Sequence, residues 1–471
     1  MGQDISVSHF KYHDFQRFER LLQRELELLR LWLHEGRFST RRSIGGLELE
    51  AWIVDAQGQP VPLNEELLAR VNSPAVVPEL SRFNIEFNVD PQPLAGRGLE
   101  RLETELGQTW DLCHRTAAEW QAGVVAIGTL PTVTESQLSL RNMSAALRYR
   151  ALNEQTLRLR QGRPLRLDIT GRERLQTEHL DVMLEAGTTS FQLHLQVPVE
   201  SAVRYYNASQ IISAPLVAVA ANSPFLFGKC LWDETRIPLF EQAVDVGQGR
   251  FPRVTFGSGY AERSLEECFA ENHDHYPIML PWAMEETSDQ LAHLRLHNGT
   301  IWRWNRALIG FDAPGQPHLR IEQRVPAAGP TTLDMAANMA FFYGLVEALA
   351  TTPVPPETRL PFTSARANFY LAARYGLEAE LVWLDRAATP IRSLILDDLL
   401  PLARQGLAQL TVAGDVAERL LGVIAARVNA GQNGAVWQRR FVTRHGSDMA
   451  LLTREYRIRQ QAGSPVHTWD L

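Results

Sequence analysis

Gly45-Gly46-Leu47-Glu48-Leu49-Glu50-Ala51-Trp52-Ile53-Val54 is the stretch on which the reading of the chain turns. Aliphatic residues fill the line, and Glu48 and Glu50 stand two apart. In a β-strand, residues i and i+2 point to one face, roughly 6.6 Å from each other. Two carboxylates therefore project side by side, with Leu47 and Leu49 on the opposite face and Trp52 next in line. Burying two like charges in an apolar frame is costly unless a cation neutralises them. The stretch predicts either a divalent-metal site or the wet face of a half-solvated antiparallel sheet, and the other strands of the chain bear on which.

Three more segments carry polar residues at the same period. Residues 79–89 predict a second strand, with Phe83, Ile85 and Phe87 on one face and Asn84, Glu86 and Asn88 on the other; Glu79 lies just upstream. Pro91 and Pro93 are expected to end it. Residues 189–198 alternate as a third strand carrying Gln192 and His194, and residues 319–325 as a fourth carrying Arg320, Glu322 and Arg324. Each alone also reads as ordinary structure, and Glu322 with Arg324 as a surface ion pair worth about 0–1 kcal/mol. If the four strands are neighbours with those faces aligned, they form a basin of carboxylates, one imidazole and several guanidiniums. Hard divalent cations want oxygen ligands, and Mg²⁺ is held by a few carboxylates plus substrate phosphates. An arginine beside such ions is what phosphoryl transfer needs. The chain has no Walker A motif and no Gly-x-Gly-x-x-Gly at a strand–helix turn, so phosphate binding would rest on metals and basic side chains.

The bulk numbers predict a soluble globular protein. The 471 residues suffice for one to three domains. The net charge of −7, without a long basic run, argues against nucleic acid or an anionic membrane as partner. Cys113, Cys230 and Cys268 have no disulfide or metal spacing, which suits a reducing cytoplasm. No signal peptide is visible, and no apolar run reaches the roughly 18 residues of a membrane span.

An amphipathic helix is predicted over 15–34, a hairpin turn at 55–58, and helices over 64–72, 99–123, 138–158, 202–221 and 333–350. A short buried strand is predicted over 124–130, an arginine-rich loop to 174, and a long irregular region over 228–300; 162–177 and 228–259 are candidate lids. Beyond 363 the chain reads as helical, over 364–375, 393–410, 414–429 and 431–443. The expected class is α+β: a largely antiparallel sheet with one open face and helices on the other. An N-terminal helix and link (1–44), a catalytic sheet domain (45–352) and a helical C-terminal region (353–471) are expected.

Gly46-Leu47-Glu48-Leu49-Glu50, Glu79 with Ile85-Glu86-Phe87, Gln192-x-His194 and Ile321-Glu322-x-Arg324 resemble the carboxylate–amine ligase family that includes glutamate–cysteine ligases. Arg148-Tyr149, Asn222-Ser223-Pro224, Gly299-Thr300-Ile301-Trp302 and Arg374-Tyr375-Gly376-Leu377 extend the resemblance over about residues 45–378. It implies a glutamine-synthetase-like sheet that holds Mg²⁺ (or Mn²⁺) between itself and ATP. Glu50, Glu79 and Glu86 would ligate one ion; Glu48, His194 and Glu322 another. Gln192 would contact the nucleotide, and Arg324 the γ-phosphate. Glutamate would form a γ-glutamyl phosphate, from which an amine displaces phosphate. Arg148, Tyr149, Arg306 and Arg320 are the candidate substrate contacts. The chain departs from the family where Arg82, Phe83 and Asn84 replace acidic and small polar residues. Gln192 stands where His is common, and Trp302 and Trp304 are set near the expected substrate.

Two other readings share the same residues. One is a non-catalytic nucleotide-binding regulator or partner subunit; the other is a metal-dependent hydrolase with His194 among its ligands, which the scarcity of histidine disfavours. The expected partners are small amino acid or amine substrates, with the helical termini as a possible homo-oligomer interface.

Overall fold

The computed structural model describes residues 5, 7–247, 252–284, 288–312 and 315–471. Parts of the expected irregular region, 248–251 and 285–287, lie outside the described residues, as does most of the first six.

Seven strands form one antiparallel sheet: β1 (Ile44–Val54), β2 (Val76–Pro78), β3 (Asn84–Pro93), β4 (Gly123–Val125), β5 (Phe191–Val197), β6 (Asn305–Asp312) and β7 (Gln316–Gln323). The spatial order is β6-β7-β5-β1-β3-β2, with β4 on the end of β1. The strands singled out by their polar period are therefore consecutive: β7, β5, β1, β3. Register aligns their polar residues. Glu48 sits opposite Asn88 on one side and Gln192 on the other, Glu50 opposite Glu86, and Glu322 opposite His194.

The other face is apolar and covered. Leu47, Leu49, Ala51, Ile85, Phe87, Leu193, Leu195 and Ile321 are buried in one cluster with side chains of the helices Gly98–Ala117 and Thr332–Thr351. The second of these is long and apolar enough to cross a bilayer by composition, yet 94% of its apolar window is buried inside the fold. It starts at Thr331, whose hydroxyl accepts from the Asp334 amide at 3.1 Å. The helices Leu400–Gln409 and Gly414–Ala430 pack against it, so the same core continues into the C-terminal part of the chain. At the other end, Glu25 of the helix Tyr12–His34 pairs with His293 at 2.6 Å and accepts from the Leu294 amide at 2.9 Å, both buried. That contact ties the first helix to Ala292–Gly299, which walls the cleft described below.

One tyrosine pins β1 to β5 behind the polar face. The Tyr343 hydroxyl lies 3.0 Å from the Gly46 carbonyl and 2.9 Å from the His194 carbonyl. It reaches them because Gly45 has no side chain: a Cβ there would meet Leu94 Cδ2 at 2.5 Å and the Tyr343 hydroxyl at 2.7 Å. Gly45→Ala is expected to cost about 1–3 kcal/mol through overpacking, read as a lowered midpoint in urea unfolding. An unchanged midpoint would mean that the tyrosine shifts freely.

Several expectations are corrected. Pro91 does not end the second strand; β3 runs through it and stops at Pro93. Pro91 falls where the pairing slips between Gly45 and Leu47, and β2 covers only Ile85–Phe87, so no outer partner needs the proline amides. Glu79 and Phe83 lie in a turn between β2 and β3, and Phe83 stacks on Trp52 at 5.5 Å instead of joining Ile85 and Phe87. The strand expected over 124–130 shrinks to Gly123–Val125. The helix expected over 138–158 begins at Leu147, after short turns. The arginine-rich loop is a hairpin, Leu165–Thr170 with Arg174–His179, and the irregular region holds the helices Arg236–Ala243, Glu266–His275 and Ala292–Gly299. The helix Met449–Ala462 and the edge strand β6 were not anticipated.

Candidate active site

The polar face of the sheet floors a cleft with about 210 Å³ of free volume. Two acidic clusters sit on that floor. In one, ligand atoms of Glu48, His194 and Glu322 lie within 4.8 Å of one another; in the other, those of Glu50, Glu79 and Glu86 do. Strand pairing supplies five of these residues. Glu79 arrives from the β2–β3 turn, where the Leu80 amide donates to its carboxylate at 3.0 Å.

The two clusters differ in charge balance. Glu322 is held by Arg306 through two hydrogen bonds, at 2.8 and 3.0 Å, and by Arg324 at 3.1 Å. Burial acts upward on Glu322, but Arg306, Arg324 and His194 outweigh it and hold the carboxyl well below the usual range. Neither ring nitrogen of buried His194 makes a hydrogen bond, although Nε2 lies 3.2 Å from Glu48. The other cluster has too little positive charge. Burial and the Glu50 carboxylate push Glu79 up to about 7. Burial, with Glu48 and Glu79, pushes Glu86 well above the usual value. Burial also raises Glu50, against Arg324 and with Glu86. Three converging carboxylates, Glu86 buried and Glu50 and Glu79 half-buried, with too little counter-charge, and an imidazole set against Glu48 and Glu322, are donor sets that hard divalent cations fit.

Arg324 stands between the clusters. It donates to Gln192 Oε1 at 2.6 Å, and Gln192 in turn donates to Glu50 at 2.9 Å. The Ser190 amide holds the other Glu50 oxygen at 2.7 Å. Burial lowers Arg324, but Glu322 and Glu50 outweigh it, so its charge is secure.

The remaining candidates spread around the cleft. Arg148 and Tyr149, at the start of the helix Leu147–Leu159, line one wall; the guanidinium lies over the ring at 4.8 Å and donates to its hydroxyl at 2.8 Å. Arg320 lines the floor beyond Glu322. Arg306 also faces the cleft, but its guanidinium is committed to Glu322, because register places the two directly across β6 and β7. The expectation of two indoles beside the substrate is half right. Trp302 lines the cleft, whereas Trp304 is buried, packing on Phe240 and Phe369 and donating to Glu241 at 2.9 Å.

Glu185 was not anticipated. It sits in a short turn before β5, lines the cleft and also a small side chamber of about 40 Å³ shared with Glu50, Glu79, Arg236 and Arg324. Burial and the Glu50 carboxylate push it up to about 8, and its Oε2 has no hydrogen-bond partner. A lone glutamate in Leu184-Glu185-Ala186-Gly187 carries no period or motif, so only its position seven residues before Gln192 hinted at it.

The sequence matches the model of glutamate-cysteine ligase family 2 (GCS2) over residues 44–455. No functionally curated protein matches it. Among solved structures, it is similar to a glutamate–cysteine ligase from Francisella tularensis in complex with AMP, at 10% identity and a TM-score of 0.55, over 90% of each chain. It is also similar to a bifunctional glutathione synthetase from Pasteurella multocida, at 11% identity and a TM-score of 0.56, covering 95% of this chain and 55% of that one. At such identities these likenesses concern the fold, which is the glutamine-synthetase-like sheet. With a family model that spans most of its length, this chain belongs to glutamate-cysteine ligase family 2.

Proposed function

We propose that the protein is an ATP- and Mg²⁺-dependent (or Mn²⁺-dependent) carboxylate–amine ligase that forms a γ-glutamyl amide through an acyl phosphate. The observation that carries this reading is the pair of adjacent clusters, Glu48/His194/Glu322 and Glu50/Glu79/Glu86, with Arg324 between them. The AMP complex of the Francisella ligase and the family membership support it.

Divalent ions held by the two clusters would offset phosphate charge and align the reacting oxygens. Arg324 supplies a fixed positive charge for the transferring γ-phosphoryl group. The substrate carboxylate attacks the γ-phosphorus and ADP leaves. The amine then attacks the acyl carbon of the mixed anhydride, and inorganic phosphate departs with the C–O electron pair. Before that attack the ammonium must lose a proton. Glu185, unpartnered at Oε2 and titrating near 8, has the affinity to accept it. Gln192 fixes Arg324 against Glu50, between the two clusters.

Purified protein with ATP, Mg²⁺, glutamate and a panel of amines is expected to release phosphate only when acid and amine are both present. Tight ATP binding with no release from any pair would favour a non-catalytic nucleotide-binding protein instead. Glu185→Gln is expected to lower kcat by about 10²–10⁴-fold, with ATP affinity retained. The rise of kcat with pH that reports this base should vanish. A rise that persists in the variant would assign the proton to another group.

A further inference from the structure

The cleft has a second lobe, beyond the Glu48/His194/Glu322 cluster. On β6 and β7, Leu308 sits opposite Arg320, one same-face step along from the Arg306–Glu322 pair. The two therefore lie side by side on the polar face. The other aliphatic residues of β6, Ala307 and Ile309, belong to the main core; Leu308 joins neither hydrophobic cluster and lines the cleft. Leu280, Leu296 and half-buried Trp302 line the same cavity. An aliphatic side chain on a sheet face that otherwise carries ligands and ion pairs has no structural reason to be there.

Arg320 completes the lobe. Arg306 and Arg324 are both engaged by Glu322. Among the described residues Arg320 is in no ion pair, and its Nε is buried without a hydrogen-bond partner. A buried guanidinium N–H left unmet costs stability unless a ligand accepts from it, and the fork of an arginine matches a carboxylate.

We propose that this lobe binds an amphipathic carboxylate: an α-amino acid whose carboxylate sits on Arg320 and whose large apolar side chain packs against Leu280, Leu296, Trp302 and Leu308. The amine partner of the reaction is then a bulky apolar amino acid and not a small polar one. The inference deepens the ligase reading and rests on it only for the reaction in which this ligand takes part.

Direct binding tests it without turnover. Equilibrium dialysis of the full chain with L-phenylalanine, L-leucine, glycine, L-glutamate and phenethylamine, with Mg²⁺ and no ATP, separates the two contacts. Phenylalanine and leucine are expected to bind at least about tenfold more tightly than glycine. Phenethylamine, which lacks the carboxylate, should lose about tenfold or more against phenylalanine. Leu308→Asn should flatten the preference for apolar side chains. Arg320→Gln should weaken all the amino acids by a similar factor and leave the preference standing. Leu308 is half-buried at the cleft wall, and Leu308→Ala, a milder change, should reduce the preference in part. Equal binding of glycine and phenylalanine, or a preference untouched by Leu308→Asn, would each overturn the proposal. If the preference holds and no amino acid supports phosphate release from ATP, the lobe stands and the ligase reading alone fails.

Discussion

Arg324→Met is expected to reduce phosphate release by about 10³-fold or more, with ATP binding weakened far less. The reason is electrostatic. A guanidinium fixed where negative charge develops in phosphoryl transfer acts mainly in the transition state, and arginines in that role are worth about 10³–10⁵ in kcat. Arg324 is held in place by Gln192 at 2.6 Å and Glu322 at 3.1 Å, and both partners are buried. The change also removes one partner from a buried carboxylate. Arg306 remains on Glu322 through both of its contacts, so the structural cost should fall below the roughly 3–5 kcal/mol of a buried pair left uncompensated. Arg324→Lys keeps the charge but loses the planar guanidinium and its fixed fork of donors, so an intermediate rate is expected. Measuring kcat and the unfolding midpoint of both variants separates catalysis from stability. A fall in activity that merely tracks the loss of folded protein would place Arg324 in the scaffold and not in the reaction.

The second large effect is a contrast in sign between the clusters. Glu86→Gln is expected to raise the melting temperature of the metal-free protein, while weakening divalent-cation binding by about 10²-fold or more. Glu322→Gln should do the opposite to stability. Burial, Glu48 and Glu79 already drive Glu86 far above the usual carboxylate range. A neutral isostere there spares the proton uptake that folding imposes on Glu86, but it removes a carboxylate that would ligate the ion. Glu322 is paired with two arginines and held well below its usual range, so neutralising it strands Arg306 and Arg324. Breaking a buried pair costs about 3–5 kcal/mol.

The same logic sets a pH dependence for the metal-free protein. Glu79 titrates near 7 when folded, above the ordinary 4.5. The folded state therefore binds the extra proton between those values, and its contribution to stability is present below about 4.5 and is lost as pH rises through 7. Divalent cations compete with that proton. Their affinity should fall as pH drops below about 7, and binding should release protons, measurable by calorimetry in buffers of different ionisation enthalpy. Metal affinity that is flat from pH 8 to 5.5 would contradict the assignment of Glu79.

How much of this could be read before the structure follows from the length scale of each interaction. The alternation in Glu48/Glu50, Asn84/Glu86/Asn88, Gln192/His194 and Glu322/Arg324 is local, and a period of two fixes which face a side chain takes. That the four strands are neighbours is not local. It was legible only as a shared polar period and through the family likeness. Glu79 joined the cluster for a reason the sequence hides: the chain turns between Pro78 and Asn84 and swings the carboxylate back over the sheet. Arg306 shows the same limit from the other side. Read as a candidate substrate contact, it is paired with Glu322 because β6, whose polar and bulky residues masked its alternation, lies in register with β7. Trp304 was misplaced for a related reason. In the Trp302-Arg303-Trp304 run the chain passes from a two-residue strand into β6, and the second indole turns into the Phe240–Phe369 core. Glu185 lay in a turn with no pattern; its burial, the nearby Glu50 carboxylate and an unpartnered Oε2 mark it only once the chain is folded.

On the proposed function, two groups of side chains on one sheet face hold divalent ions against a nucleotide's phosphates. Anomalous scattering from crystals grown with Mn²⁺ and a non-hydrolysable ATP analogue tests it most directly. The account predicts one manganese peak among Glu48, His194 and Glu322, a second among Glu50, Glu79 and Glu86, and phosphate oxygens bridging both with Arg324 alongside. An analogue bound elsewhere, or bound in the cleft with neither cluster occupied, would contradict it.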